Sequence, residues 1–107
     1  AGMAAFVRQA LARGAIDQTS VAALAGVSAP TLRRRLEEEG ASFRDLRRDV
    51  LNAAAKRLLA DRKTVSQVAE ELGFSDYRSF TRAFKAWNGS PPVDFRTTIR
   101  NLSEKDT

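Results

Sequence analysis

Val21–Ser28 reads VAALAGVS, and Val68–Ser75 reads VAEELGFS. Valine, alanine, glycine and serine stand at matching places in the two stretches, 47 residues apart. Each stretch is followed by a hydrophobe, any residue, an arginine, any residue and a hydrophobe, at Leu32–Leu36 and at Phe80–Phe84. This is the spacing of a helix-turn-helix, in which a glycine turn separates two short helices. Two such motifs in one basic chain predict a protein that contacts DNA through two major grooves.

The turns between the helices carry residues that suit their positions. Gly26 and Gly73 fall where each first helix must turn sharply, and glycine adopts a left-handed backbone without a Cβ clash. Ser28 is predicted to cap the second helix of the first motif. In the second motif, either Ser75 or Asp76 is predicted to have the same role.

The chain is predicted to be all-α, with about seven helices, because no segment shows strand alternation and turn signals recur every ten to twenty residues. Residues 1–41 are expected to form the first helix-turn-helix subdomain, 42–62 a linking helix and 63–107 the second subdomain, together making one compact DNA-binding unit. Asp17 and Thr64 are predicted N-caps, and Thr64–Gln67 has the spacing of a capping box. A linking helix of about twenty residues covers about 30 Å. Because one turn of DNA rises about 34 Å, we expect a bipartite site about ten base pairs from centre to centre.

Hydrophobic spacing predicts which residues pack inside. In the first helix, over residues 3–13, the apolar face is formed by Phe6, Val7, Ala10 and Leu11. In the linking helix it is formed by Phe43, Leu46, Val50, Ala54 and Leu58. The aromatic residues expected in the core of the second motif are Phe74, Phe80, Phe84, Trp87 and Phe95. Pro91 and Pro92 are predicted to open a last short helix.

The composition limits the classes of function. A net charge of +5 and a pI near 10.4 suit an anionic partner such as nucleic acid. Cysteine and histidine are absent, which excludes disulfides, thiolate nucleophiles, imidazole bases and nearly every zinc site. We therefore expect no catalytic residues, no metal and no cofactor. Neither a membrane-spanning apolar run nor a secretory leader is present in the sequence, so the expected location is cytoplasmic, with no membrane partner.

The second half of the chain resembles a known family. Its motifs are GFSD at 73–76, SFTRAFK at 79–85, GSPP at 89–92 and the pair Phe95-Arg96. Together with the double motif and the linking helix, they look like the DNA-binding domain of AraC/XylS-type bacterial transcription regulators. The resemblance covers roughly residues 5–97. It implies sequence-specific binding to double-stranded DNA for transcription regulation, with the second helix of each motif in a major groove.

The resemblance also implies which residues meet DNA. Those expected to face bases or adjacent phosphates are Pro30, Arg33, Arg34, Tyr77, Arg78, Ser79 and Arg82. Those expected to make weaker phosphate contacts are Thr31, Thr81 and Lys85. Arg33, Arg34 and Arg78 are the candidates for base reading, since a guanidinium can donate two parallel hydrogen bonds to guanine O6 and N7. Arg82 and Thr81 are equally suited to holding phosphate.

Among the departures from the pattern is the acidic run Glu37–Glu39, which ends the first reading helix where the second copy has Lys85; another is Leu51, in the linking helix, where relatives often carry an arginine. Because phosphate repels acid, we expect the run to point away from DNA. The alternative to DNA binding is a helical protein-interaction module, whose charges would only confer solubility. The resemblance further implies RNA polymerase as a partner, and an effector or dimerisation domain that is missing from this chain.

Overall fold

The structure, a computed structural model, describes residues 2–15 and 17–105, with side chains described up to residue 101. This part of the chain contains seven α-helices and no strand, which confirms the predicted fold class. The helices are α1 Met3–Ala12, α2 Gln18–Ala25, α3 Ala29–Glu38, α4 Phe43–Ala60, α5 Val65–Glu71, α6 Tyr77–Asn88 and α7 Pro92–Lys105. The chain divides into two compact units, Ala1–Val50 and Leu51–Thr107, and the division falls within α4.

The first unit has a small aliphatic core. Its buried residues come from α1, α2, α3 and the first half of α4, and they are Val7, Ala10, Leu11, Val21, Ala22, Leu32, Leu36 and Leu46. Phe6 is not among them: its side chain is 38% exposed, so the expectation that it shares the buried face of α1 was wrong. Residues of a helix are about 100° apart, and Phe6 therefore lies at the edge of the face that Val7 buries.

The second unit has an aromatic core. Phe80 and Phe84 of α6 are fully buried and pack edge to face, with ring centroids 5.8 Å apart. Phe74 packs against Phe80 at 5.5 Å and against Trp87 at 6.3 Å, and Phe95 packs against Phe84 at 5.8 Å. The predicted core role of these five aromatic residues is confirmed.

The second half of α4 faces this core through residues one position later than predicted. Ala55 and Leu59 are buried, whereas Ala54 and Leu58 are only half-buried. The apolar spacing that begins at Phe43 cannot hold over the whole helix, because Leu46 packs into the first core and Leu59 into the second.

The glycine turns form where the sequence predicts them, whereas the ends of two helices differ from the prediction. Gly26 and Gly73 have φ values of 73° and 87°, so both predicted left-handed turns are confirmed. At the end of α4 the helix stops at Ala60, two residues before its predicted end, and Arg62 has a φ of 65°. A non-glycine residue in this region carries a steric cost. The last helix has 14 residues and is longer than the expected short helix.

Candidate nucleic-acid interface

The second helix of the second motif, α6, is fixed at both ends. At its start, the Asp76 side chain accepts a hydrogen bond from the Ser79 amide at 2.7 Å, which decides between Ser75 and Asp76 as the N-cap. At its end, Asn88 and Asn52 of α4 exchange two side-chain hydrogen bonds of 2.9 and 3.1 Å, and Gly89 closes the helix with a φ of 83°. With one face held by the aromatic core, α6 has a defined rotation about its axis.

The opposite face of α6 presents a cationic stripe. Arg78, Arg82 and Lys85 are exposed and occupy positions i, i+4 and i+7, which lie along one side of a helix. Among the residues that the structure describes, none of the three forms an ion pair with a carboxylate. We call these residues the α6 stripe. Unpaired cations in a row on an exposed helix face are available to bases and phosphates.

The remaining candidate residues of α6 flank this stripe. Tyr77 is 51% exposed at the first position of the helix. Ser79 and Thr81 are half-buried and have short side chains. They can therefore contact only a group that lies close to the backbone of α6.

Asp76 lies beside the arginines of the stripe and is held in its charged form. The Ser79 amide is the main cause that lowers the pKa of Asp76, and the charges of Arg78 and Arg82 lower it further. A charged carboxylate at this position also suits the positive end of the helix dipole. The cap of α6 therefore stays ionised at neutral pH.

The second helix of the first motif, α3, is built in the same way. Ser28 accepts a hydrogen bond from the Thr31 amide at 3.2 Å, which confirms it as the N-cap, and its hydroxyl donates to the Thr31 hydroxyl at 2.9 Å. Leu32 and Leu36 are buried at the positions that Phe80 and Phe84 take in α6.

The candidate residues of α3 lie on its outer side. Pro30, Arg33 and Arg34 are exposed and Thr31 is half-buried. Neither arginine is ion-paired within the described part of the chain. Each unit thus presents its predicted residues on one exposed helix.

Glu39 has a role that sequence reasoning missed. Its carboxylate accepts hydrogen bonds from the Met3 and Ala4 amides of α1, at 2.7 and 3.1 Å. These two backbone amides lower the pKa of Glu39. The N-cap residue of α1 is Gly2, which has no side chain to offer, so an acid from the end of α3 caps α1 instead. No local sequence signal joins residues 35 positions apart.

Other kinds of site find no support in the described residues. Over residues 2–15 and 17–101, whose side chains the structure describes, acidic side chains do not gather into a group that could hold a metal ion. None of the helices described between residues 3 and 105 has both the length and the apolar character needed to cross a bilayer.

The chain is similar to known helix-turn-helix proteins. A family model described as a helix-turn-helix domain matches residues 21–98. The chain is 39% identical over 98 residues to an uncharacterized HTH-type transcriptional regulator of Mycobacterium tuberculosis, covering 88% of this chain and 28% of that protein. The chain therefore spans just over a quarter of that relative's length.

Solved structures show the same fold. A DNA-binding transcriptional dual regulator from Escherichia coli K-12 aligns with a TM-score of 0.86 at 18% identity, covering 94% of this chain and 95% of that one. A probable AraC family transcriptional regulator from Rhodopseudomonas palustris aligns with a TM-score of 0.72 at 22% identity, covering 91% and 96%. At these identities the likeness concerns the fold alone.

Proposed function

The chain belongs to the AraC-type helix-turn-helix family of transcription regulators, and on that premise we propose that it binds double-stranded DNA sequence-specifically, with α3 and α6 as its two reading helices. Each reading helix enters a major groove with its exposed face towards the bases. The observation that carries this proposal is the α6 stripe. Three cations lie on the outer face of a helix whose inner face, start and end are all fixed, and none of them is ion-paired within the part of the chain that the structure describes.

The predicted residues divide by chemistry. Arg33, Arg34 and Arg78 read bases, because a guanidinium matches the two acceptors of guanine. Lys85 carries a compact charge on a flexible stem and suits phosphate. The residues that add contacts to bases or adjacent phosphates are Pro30, Thr31, Tyr77, Ser79, Thr81 and Arg82.

The site on DNA is bipartite in this proposal. The 18 residues of α4 cover about 27 Å, which is comparable with the rise of about 34 Å in one turn of DNA. We expect the two half-sites to lie about ten base pairs apart, in successive major grooves. Residues 1–41 and 63–107 then act as the two reading subdomains, and 42–62 as their link.

The partners beyond DNA are also part of the proposal. Because the chain spans 28% of the M. tuberculosis relative, we propose that an effector or dimerisation domain acts together with this one. RNA polymerase is the expected protein partner at a promoter, and the site of action is the cytoplasm, where bacterial DNA lies.

Selection of bound duplexes from a random pool tests DNA binding, the number of half-sites and their spacing together. We expect two conserved blocks about ten base pairs apart. If each reading helix neutralises three or four phosphates, the logarithm of affinity should fall with the logarithm of salt at a slope of about −5 to −7. Arg82→Ala should weaken binding to the selected duplex. Arg100 is an exposed arginine of α7 outside the reading helices, so Arg100→Ala is the charge-matched control and should weaken binding less.

A protein-interaction module would give a different result. It would enrich no sequence and show no steep salt response, and Arg82→Ala would then behave like Arg100→Ala. That outcome would refute the DNA-binding proposal.

A further inference from the structure

The three glutamates that end α3 have three different surroundings. Glu39 caps α1 through the Met3 and Ala4 amides. Glu38 lines a cleft beside the start of α1, together with Met3 and Arg35. Glu37 instead lines a cleft on another side of α3, with Arg33. The acidic run is therefore not one uniform surface, and Glu37 has to be considered separately.

Glu37 lies on the face of α3 that carries the reading arginines. Because successive helical residues are about 100° apart, Glu37 falls about 40° from Arg33 and about 60° from Arg34, between the two. Glu38 falls about 90° from their midpoint. Glu37 is exposed, and within the described residues it forms no ion pair with Arg33, one turn earlier.

The comparison with α6 gives the same placement. Glu37 is the ninth residue after the N-cap Ser28, and Lys85 is the ninth residue after the N-cap Asp76. The buried residues of the two helices are in the same register. The first reading helix thus has a carboxylate at the position where the α6 stripe has an ammonium group.

A carboxylate on a reading face meets only one favourable base edge. An ionised carboxylate accepts hydrogen bonds but donates none. In the major groove guanine presents two acceptors, thymine presents an acceptor and a methyl group, and adenine presents its donor beside an acceptor. Cytosine alone presents a donor, the N4 amino group, without a neighbouring acceptor.

We propose that Glu37 is a specificity-determining residue of the first reading helix and selects cytosine by accepting a hydrogen bond from its N4 amino group. Glu37 lies about 6 Å along α3 from Arg33, so the selected base pair lies one or two steps from the pair that Arg33 contacts. This inference rests on the proposed function of α3, and it departs from the expectation that the whole acidic run points away from DNA.

The test compares five forms of the full chain in duplex selection from a random pool: wild type, E37Q, E37A, E38Q and Arg33→Ala. Wild type should prefer cytosine about tenfold at one position, one or two steps from the position that Arg33→Ala relaxes. E37Q should lose that preference and accept adenine, because glutamine pairs with adenine N6 and N7. E38Q removes the same charge from the neighbouring residue and should keep the wild-type preference. E37A, which cannot pair with adenine, should lose the preference without gaining another.

Two outcomes that differ from these expectations would overturn the inference. If E37Q binds every sequence more tightly with unchanged base preferences, Glu37 only repels phosphate, and the inference is wrong while the proposed function stands. If wild type enriches no sequence, the proposed function and the inference fail together. Comparing the circular dichroism spectra of E37Q and wild type checks that a changed preference does not come from loss of helix.

Discussion

Arg78→Ala and Lys85→Ala each remove one positive charge from the same side of α6, yet we expect them to weaken DNA binding in different ways. The two residues are seven positions apart, which is about 10 Å along the helix and about 20° around it. Arg78 is the second residue of α6 and Lys85 the ninth. A guanidinium can donate two parallel hydrogen bonds to a guanine edge, whereas an ammonium group carries a compact charge that suits phosphate, so we expect Arg78 to read a base and Lys85 to bind the backbone.

The expected magnitudes follow from those two roles. Arg78→Ala should cost about 1 to 3 kcal/mol on the selected site, which is about 5- to 150-fold in affinity, and should relax one base position. On a scrambled duplex it should cost much less. Lys85→Ala should weaken both duplexes alike and make the salt slope shallower by about 0.9, the contribution of one phosphate.

Fluorescence anisotropy titrations of a selected and a scrambled duplex, at several salt concentrations, measure both effects, with Arg100→Ala as the charge-matched control. Equal losses on the two duplexes for Arg78→Ala would remove the base-reading role. An unchanged slope for Lys85→Ala would remove the phosphate role.

Three further predictions concern the scaffold. Gly26→Ala should lower the free energy of unfolding by about 1 kcal/mol in urea titrations, because the residue has a φ of 73° and the backbone strain of alanine there outweighs the entropy gained. The added Cβ would meet open space, so no steric clash contributes to this loss. An unchanged urea midpoint would contradict the prediction. Glu39→Gln should lower the melting temperature more than the matched Glu38→Gln, since only Glu39 accepts the two α1 amides; equal losses would contradict the capping role. The pKa of Asp76 is lowered in the folded state, so the ionised side chain should stabilise the fold at pH values above its ordinary pKa of 3.8. That stabilisation should be lost as the pH falls through the lower pKa of the folded state. Asp76→Asn should flatten this part of the stability profile measured by circular dichroism.

Much of the fold follows from local sequence. The caps at Asp17, Ser28 and Thr64 and the left-handed Gly26 and Gly73 depend on residues within a few positions of each other, and all of them were predicted and are confirmed. Seven helices and the aromatic core of the second unit were also predicted from periodicity.

The rest depends on contacts between distant residues. Glu39 caps a helix that begins 36 positions earlier in the chain, and no spacing rule reaches that far. The buried positions of α4 shift because two cores share one helix. The left-handed backbone at Arg62 could not be predicted, because the residue there is not a glycine. The sequence predicted which helices carry the candidate DNA-contacting residues, but the separate surroundings of the three glutamates depend on how α3 packs against distant residues.

The amide pair between Asn52 and Asn88 helps to fix the rotation of α6 about its axis, and therefore the positions of its arginines. An arginine side chain extends far from the axis of its helix, so a small rotation of the helix moves the guanidinium by a larger distance. Hydrogen bonds to a base edge tolerate only a few tenths of an ångström around 2.9 Å. Two directional hydrogen bonds at the end of the helix opposite Arg78 resist such a rotation, whereas apolar contacts alone have no fixed direction. Base discrimination by the second unit should therefore be sensitive to substitutions at Asn52, a residue that belongs to neither reading helix.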